Sequence, residues 1–279
     1  MGRISAAVAT VHTPYIKAMV DKVDKATGER VFNGFRTLGD SIRAVNPDAL
    51  VVFTSEHVLN MGPRCAPPFL IGAGSEHPIF HEPAFKLPAG VLRGAPEIAA
   101  GLLEEFGSSG IDVAHSIHLK VDHGTVLPLD FMGLAFDYPV IAIVTNTMFP
   151  PLPNLARSYD LGRAVAAFIE SDACEANVAL VATGGLAHSV GEPAMGVIDE
   201  EFDDLFLEAL MANDDAALMA LSPERVSAAG NGTNEIRNWI ALRGAVPEWT
   251  AQHVLAERRI EPWLTGVHQV SWAPPGQDK

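Results

Sequence analysis

Short runs of apolar and β-branched residues recur along the chain, and each of them ends in small or polar residues. The clearest runs occupy Ile4–Val11, Ala49–Thr54, Val140–Val144 and Ala179–Ala182. A short, continuous apolar run bounded by loop residues is typical of a strand that is buried on both faces. We therefore predict a buried sheet whose strands lead into polar loops.

Helical patterns lie between and after these strands, and strands that alternate with helices predict βαβ units around a mostly parallel sheet. The predicted helices are Thr37–Val45, Ala95–Phe106, Asn154–Ser171, Asp199–Ala212, Asp214–Leu221 and Asn234–Arg243. No repeat or Ser/Gly linker divides the sequence, so we expect one catalytic α/β domain over residues 1–279. Pro/Gly-rich segments predict a long loop at Met61–Gly74 and a terminal tail at 271–279.

Histidines follow several of the predicted strands. His12 comes after the first strand, His57 after the second, and His188 after a Gly-Gly turn that follows the fourth. In parallel sheets, ligands bind at the carboxyl ends of the strands, so these imidazoles are candidates for metal binding or proton transfer. His123 stands before a glycine in a predicted loop and is a further candidate. Taken singly, each also fits an ordinary hydrogen-bonded loop histidine.

The neighbours of His57 offer two alternatives. Ser55 and Glu56 are expected to orient its ring N–H. Glu56 is also a candidate carboxylate ligand, although adjacent residues of an extended segment point in different directions, which favours a Glu56 that faces away from the metal.

A glutamate near the start of the last predicted helix completes a possible metal site. In GNGTNEIRNW, Asn231 or Thr233 is the predicted N-cap, and Glu235 follows in the first turns. A carboxylate there is stabilised by the helix dipole, and a solvent-exposed glutamate is the preferred interpretation from the residues alone. Two histidines and one carboxylate on one face would leave open positions of the kind that non-haem Fe(II) oxygenases use.

The segments VHTPYI, SEH, VDHGTVLPL, GGLAHS and GNGTNEIRNWIALRGA together resemble the class III extradiol ring-cleavage dioxygenases. The resemblance spans nearly the whole chain. In particular, these segments resemble the catalytic β-subunit of protocatechuate 4,5-dioxygenase. It implies a three-layer αβα sandwich with a mixed, mostly parallel central sheet, and one Fe(II) held by His12, His57 and Glu235. It also implies that His123 and His188 act in acid/base and oxygen chemistry.

The implied reaction is O₂-dependent cleavage of the ring of a catechol, such as a protocatechuate-, gallate- or dihydroxyphenylpropionate-like compound. The protocatechuate enzymes pair this type of chain with a small helical subunit, so such a partner is possible. We also expect a homo-oligomer, which is common among enzymes of this size.

Charge and composition limit the partners. The net charge of −15, with 19 basic residues that are not clustered, argues against nucleic acids and anionic membranes as partners. Two isolated cysteines and the lack of a long apolar span indicate a cytoplasmic protein. An anionic substrate would need a local cation besides the metal. The basic candidates for that role are Lys17, Arg64, Arg237 and Arg243.

Two other functions fit some of these features. A zinc-dependent hydrolase on a similar αβα scaffold would use the same histidines to activate water. A binding protein of the same fold without catalytic activity is the second alternative, since a fold does not by itself determine a function.

Overall fold

Ten β-strands and nine α-helices occur in residues 1–276, the part of the chain that the computed structural model describes. The strands are β1 (Arg3–Thr10), β2 (Ala49–Ser55), β3 (Phe69–Gly72), β4 (Glu76–Pro78), β5 (Val91–Arg93), β6 (Ala114–Ser116), β7 (Val140–Thr145), β8 (Asn177–Thr183), β9 (Thr250–Ile260) and β10 (Thr265–Ala273). The α-helices are α1 (Tyr15–Ala18), α2 (Lys25–Val45), α3 (Pro96–Ser108), α4 (His123–Phe131), α5 (Leu155–Ile169), α6 (Glu200–Met211), α7 (Asp215–Met219), α8 (Pro223–Ala228) and α9 (Ile236–Ala245).

Eight of the strands form one mixed sheet in the order β6-β3-β7-β2-β8-β1-β10-β9. The four central strands β7, β2, β8 and β1 run parallel to one another. The pairs β3–β7, β1–β10 and β10–β9 are antiparallel. The carboxyl ends of the central strands therefore lie along one edge, which is where the loops of a parallel sheet bind ligands.

Alternate residues of the central strands enter two separate hydrophobic cores. In β2, for example, Val51 and Phe53 pack with α3, α5 and α9, whereas Leu50 and Val52 pack with α2 and α4. Both faces of the sheet are thus covered by helices, which explains why the strands are apolar without alternation. The predicted three-layer αβα sandwich with a mostly parallel sheet is confirmed.

The helix α2 begins at Lys25, which is twelve residues earlier than the predicted start at Thr37. The glycines of this segment lower its helical propensity and hid the first turns. Two of them allow close packing, because a Cβ at Gly34 would lie 1.7 Å from Gln269 Oε1 and one at Gly39 would lie 2.2 Å from Met132 O.

Two predictions at a loop and at the terminus were wrong, and one hairpin was not predicted. Residues Met61–Gly74 include the strand β3, which pairs with β7. The expected tail at 271–279 begins later, because Ser271–Ala273 belong to β10 and pair with β9; residues 277–279 lie outside the described residues. The whole β9–β10 hairpin was missed, since β9 carries charged residues such as Arg258 and lacks the apolar pattern of a buried strand.

Within residues 1–276, no helix combines the length and hydropathy that crossing a bilayer requires.

Candidate active site

Three side chains from distant parts of the sequence meet at the carboxyl edge of the central strands. His12 follows β1, His57 follows β2, and Glu235 immediately precedes α9. Glu235 Oε1 lies 3.0 Å from His12 Nε2 and 3.3 Å from His57 Nε2. The structure thus brings together the three residues that the resemblance implied as metal ligands.

The ring of His57 is held by a carboxylate that the sequence did not reveal as its partner. His57 Nδ1 lies 3.0 Å from Asp122 Oδ2, and Asp122 Oδ1 accepts the N–H of Gly124 at the start of α4. The expectation that Ser55 or Glu56 orients this ring was wrong. The Glu56 carboxylate instead accepts the backbone N–H groups of residues 59 and 60, so it is engaged with its own loop.

The ring of His12 contacts a threonine hydroxyl group at the end of a neighbouring strand. Its Nδ1 lies 3.3 Å from Thr183 Oγ1 at the end of β8, and Thr183 donates to Thr54 Oγ1 of β2 at 3.1 Å. In the sheet β8 lies between β1 and β2, so Thr183 at the end of β8 lies between the two strands that His12 and His57 follow. The ring centroids of these two histidines are 4.9 Å apart.

Glu235 is positioned by a tight turn and by glycines of the loop after β8. Residues Asn231–Glu235 form a 3₁₀ helix, so the predicted N-cap role of Asn231 or Thr233 was wrong, and Glu235 itself occupies the N-cap position without a side-chain cap. Its Oε2 accepts the N–H of Gly185 at 2.7 Å, which leaves Oε1 for the histidines. Gly184 has φ +138°, and a Cβ there would lie 2.8 Å from the Glu235 Cβ. Glu235 is buried, contrary to the exposed glutamate preferred from its sequence position alone.

His123 lies beside this cluster as the first residue of α4, whereas a loop was predicted. Its ring stacks on His57 with centroids 4.3 Å apart and planes inclined by 30°. Glu82 accepts both its backbone N–H, at 2.9 Å, and its Nδ1–H, at 3.0 Å. One ligand atom each of His123, His12 and His57 lie within 4.8 Å of one another.

His188 stands on the opposite side of Glu235. Its Nδ1–H donates to the carbonyl of Leu186 at 2.9 Å, so the neutral ring carries a lone pair at Nε2. That Nε2 lies 3.7 Å from Glu235 Oε2. Gly232 makes room for the ring, because a Cβ there would lie 2.2 Å from His188 Nε2.

A single divalent cation fits the atoms of His12, His57 and Glu235. A carboxylate only accepts hydrogen bonds, so Asp122 holds a proton on His57 Nδ1, and Nε2 of the ring faces the Glu235 oxygen. This nitrogen and the oxygen need a positive charge between them, either a proton or a metal ion. Ligand atoms at right angles around one ion, each about 2.1 Å from it, are about 3 Å apart, which matches the observed separations.

The charges of the cluster also favour a cation. Burial raises the pKa of the Glu235 carboxyl, but its interactions with His12 and His57 bring it well below its usual value. Burial of Asp122 is likewise outweighed by the charge and hydrogen bond of His57, which lower the pKa of Asp122. Burial lowers the pKa of His12, whereas at His57 it is outweighed by Asp122 and Glu235, which raise the pKa well above its usual value. The two carboxylates thus hold one positive charge on His57 in the absence of a metal, and a bound cation would take the place of that proton.

The cluster forms one wall of a cavity of about 580 Å³. His12, His57, His123, His188 and Glu235 all line it. A cavity of this size is typical of sites for small molecules.

The basic side chains proposed to pair with a substrate anion lie elsewhere. Lys17 pairs with Asp130 at 2.6 Å, and Arg243 pairs with Asp215 at 2.7 Å. Neither side chain lines the cavity.

The other two basic candidates are also outside the cavity lining. Buried Arg237 donates to the carbonyl of Pro153 at 2.7 Å and to Asn234 Oδ1 at 2.8 Å, so its guanidinium is occupied by protein groups. Arg64 lies outside the set of residues that line the cavity. None of the four basic residues that were candidates for binding an anionic substituent therefore lines the cavity.

The family model described as the catalytic LigB subunit of aromatic ring-opening dioxygenase matches residues 6–266. The chain belongs to this family. The prediction of a ring-opening dioxygenase, an oxidoreductase that acts on a catecholic ring, is thereby confirmed. The match runs from β1 into β10, so it includes all five residues of the site.

Relatives of this LigB-family chain are named as dioxygenases of one kind. A 2,3-dihydroxyphenylpropionate/2,3-dihydroxicinnamic acid 1,2-dioxygenase of Photorhabdus laumondii is 27% identical over 97% of this chain and 98% of that protein. An enzyme of the same name from Cupriavidus necator is 26% identical over 91% of this chain and 90% of that protein. The solved structure of an uncharacterized protein from Escherichia coli K12 has the same fold, with a TM-score of 0.61 and 16% identity over 96% of this chain and 100% of that one.

Proposed function

We propose that this chain is an Fe(II)-dependent extradiol dioxygenase in which His12, His57 and Glu235 hold the metal. The observation that carries the proposal is the convergence of two imidazole Nε2 atoms on one oxygen of Glu235, 3.0 and 3.3 Å away. Two histidines and one carboxylate are the ligands of non-haem Fe(II) oxygenases, and they leave positions open for substrate and O₂. Fe(II) bound by these three residues would supply a Lewis acid for the catechol and redox chemistry toward O₂.

His188 is proposed to move the proton of a catechol hydroxyl. Its Nδ1–H is held by the Leu186 carbonyl, so the neutral ring can accept a proton at Nε2 and later return it. The ring lines the cavity next to Glu235, where the hydroxyl of a bound catechol would be.

His123 is proposed to donate a hydrogen bond to the oxygen atoms of the reacting substrate. Glu82 binds both the backbone N–H and the Nδ1–H of this residue, so the ring is held in one orientation with Nε2 available to the cavity. Since Glu82 takes the Nδ1 proton, the ring donates from Nε2 only in the form that carries a second proton. Self-association stays a prediction from the size of the enzyme, and a small helical partner subunit stays a prediction from the resemblance.

The experiment that tests this function compares metals. The purified protein is stripped of metal, loaded anaerobically with Fe(II) or Zn(II), and mixed with a panel of catechols in an O₂ electrode. We expect O₂ uptake and a yellow ring-opened product with Fe(II) and neither with Zn(II). Hydrolysis that depends on Zn(II) without O₂ uptake would contradict the proposal.

A zinc hydrolase stays a second candidate because of the three histidines. The ligand atoms of His12, His57 and His123 lie within 4.8 Å of one another, and three histidines also form catalytic zinc sites. The Oε1 atom of Glu235 lies 3.0 and 3.3 Å from the Nε2 atoms of His12 and His57, which is the spacing expected between ligands of one ion and favours the set with glutamate.

The replacement Asp122→Asn is expected to weaken metal binding by about 10- to 100-fold. Asparagine can still cap α4, but its amide NH₂ cannot accept the Nδ1–H of His57, so the ring loses its orientation. Competition with a chelator measures the metal affinity, and circular dichroism checks the fold. The exposed Asp112→Asn is the matched control, and equal affinities in the two variants would contradict the role of Asp122.

The replacement Gly232→Ala is expected to lower kcat by about 100-fold, because a new Cβ 2.2 Å from His188 Nε2 must displace the ring. Bound metal should be unchanged, since the three atoms nearest to a Cβ at Gly232 all belong to His188 and none belongs to His12 or His57. Gly28→Ala in α2 is the control: a Cβ there meets nothing within 4 Å, so activity should persist and stability rise by about 0.4–1 kcal/mol. A Gly232→Ala enzyme with normal kcat would argue against proton transfer by a fixed His188.

A further inference from the structure

The cavity beside the metal residues is larger than a catechol ring and is largely apolar beyond them. A volume of about 150 Å³ accommodates benzene in a protein interior, whereas this cavity has about 580 Å³. The lining of the cavity also carries apolar side chains. They include Phe85, Met148, Leu152, Met195, Trp263 and Leu264. The cavity therefore has room for a ring substituent and offers it an apolar surface.

Among the described residues, no lysine or arginine lines this cavity. The charged side chains besides Glu235 and the histidines are carboxylates, Glu56 and Glu82. Glu56 is buried, and Glu82 is held by His123. A carboxylate on the substrate would therefore meet like charges and no basic partner, and the net charge of −15 does not attract it from a distance.

Two amide donors at the wall are already used within the protein, and the remaining neutral donors include hydroxyls such as those of Tyr15 and Thr265, which carry no charge to balance a carboxylate. Asn231 Nδ2 donates to the carbonyl of Val190 at 2.9 Å, and Asn234 Nδ2 donates to the carbonyl of Asn231 at 3.0 Å. These two amides would have to break their bonds to bind a carboxylate. A carboxylate buried without a cationic partner is disfavoured, whereas an alkyl or aryl group gains from burial against the apolar wall.

We propose that the site selects catechols with an uncharged, apolar ring substituent, alkyl or aryl, and discriminates against catechols that carry a carboxylate. This inference rests on the proposed function. It separates the chain from the relatives named for 2,3-dihydroxyphenylpropionate, whose substrate carries an acid. At 26–27% identity, the chain shares their family but differs at most positions.

The test uses pairs of catechols that differ only in charge. Methyl 3,4-dihydroxybenzoate is compared with protocatechuate, and methyl 2,3-dihydroxyphenylpropionate with its free acid, so that both ring positions are sampled. For the Fe(II)-loaded enzyme, the ester of at least one pair should have a kcat/KM at least about tenfold higher than its acid. An acid that is used as well as its ester in both pairs would overturn the inference.

Binding without turnover separates this inference from the proposed function. Calorimetric titration under anaerobic conditions should give a Kd at least about tenfold lower for the ester in that pair. If the ester binds preferentially but no catechol is cleaved with O₂, the proposed function fails and the selectivity stands. If neither member of either pair binds, both are overturned.

A variant with a new positive charge tests the cause. Val190 and Met148 line the cavity and are partly exposed, at 56% and 47%, so an arginine fits at either position. In Val190→Arg or Met148→Arg, the ratio of acid to ester kcat/KM should rise by about tenfold. Val190→Gln and Met148→Gln are the uncharged controls and should leave the ratio unchanged. If neither arginine variant changes the ratio relative to its control, the absence of a basic residue is not the cause and the inference is wrong.

Discussion

Replacing Glu235 with alanine is expected to reduce bound Fe(II) to less than about one tenth of the wild-type content and to abolish ring cleavage. The variant retains only two ligand nitrogens, those of His12 and His57, and loses the negative charge that balances the cation. Loss of an outer partner of a metal ligand typically costs 10- to 100-fold in affinity, and loss of a ligand costs more. Metal analysis after anaerobic Fe(II) loading gives the content, and an O₂ electrode gives the activity.

The informative comparison for this experiment is His123→Ala. If Glu235 is the third ligand, His123→Ala keeps most of its metal; if the three histidines form the site, His123→Ala loses the metal and Glu235→Ala retains it. Glu235→Gln keeps the shape of the side chain and its bond from Gly185, so it guards against misfolding as the cause of metal loss. The exposed Glu248→Ala should behave like the wild type.

Replacing His188 with alanine is expected to keep the metal and to lower kcat by about 100- to 10,000-fold. His188 lies near Glu235 Oε2, 3.7 Å away, and is outside the three atoms that converge on the metal position. Its loss removes the group that accepts the catechol proton at Nε2, while the cavity and the metal residues stay in place. Stopped-flow measurement of ring opening, together with metal analysis, separates the two effects.

A dependence on pH strengthens the test of His188. The alanine variant should regain part of its rate at high pH, where the catechol loses its proton without help, or on addition of imidazole. The exposed His118→Ala is the matched control and should retain full activity. A His188→Ala enzyme that turns over at nearly the wild-type rate would remove this residue from the mechanism.

The strand-end histidines illustrate what local pattern predicts well. His12 and His57 follow apolar runs that the structure shows as β1 and β2, and the parallel arrangement of these strands brings the two rings to one edge. Sequence periodicity reports burial directly, so strands covered on both faces are easy to find. The chain direction then fixes on which edge their following residues lie.

The partners of these histidines were harder to predict because they come from unrelated segments. Asp122, which orients His57, is 65 residues away along the chain, and Glu82, which holds His123, is 41 residues from it. Their identity as carboxylates gave no indication of which histidine each contacts. The Asp122-His123-Gly124 sequence was the available signal: an aspartate before a possible helix start is typical of an N-cap.

The basic residues show the limit of prediction from residue type. Arg237 and Arg243 lie in α9 close to Glu235 in sequence, which made them candidates for binding a substrate acid. In the fold, each guanidinium points to protein groups, Arg237 to a backbone carbonyl and Arg243 to Asp215. Helix geometry alone leaves open which face contacts the cavity, and packing against α5 and β8 decided it.

The sequence by itself determined the α/β class, the central strands, and the two histidines that follow β1 and β2, because these depend on short-range periodicity. Similarity to the dioxygenases was needed to single out Glu235 and to give His123 and His188 their roles. Only the tertiary structure decided that Glu235, 223 residues after His12, lies 3.0 Å from its Nε2, and that no lysine or arginine among residues 1–276 lines the cavity around them. The physical reason is that these contacts join residues far apart in the sequence. The surroundings of each side chain depend on every strand, helix and loop that packs against it.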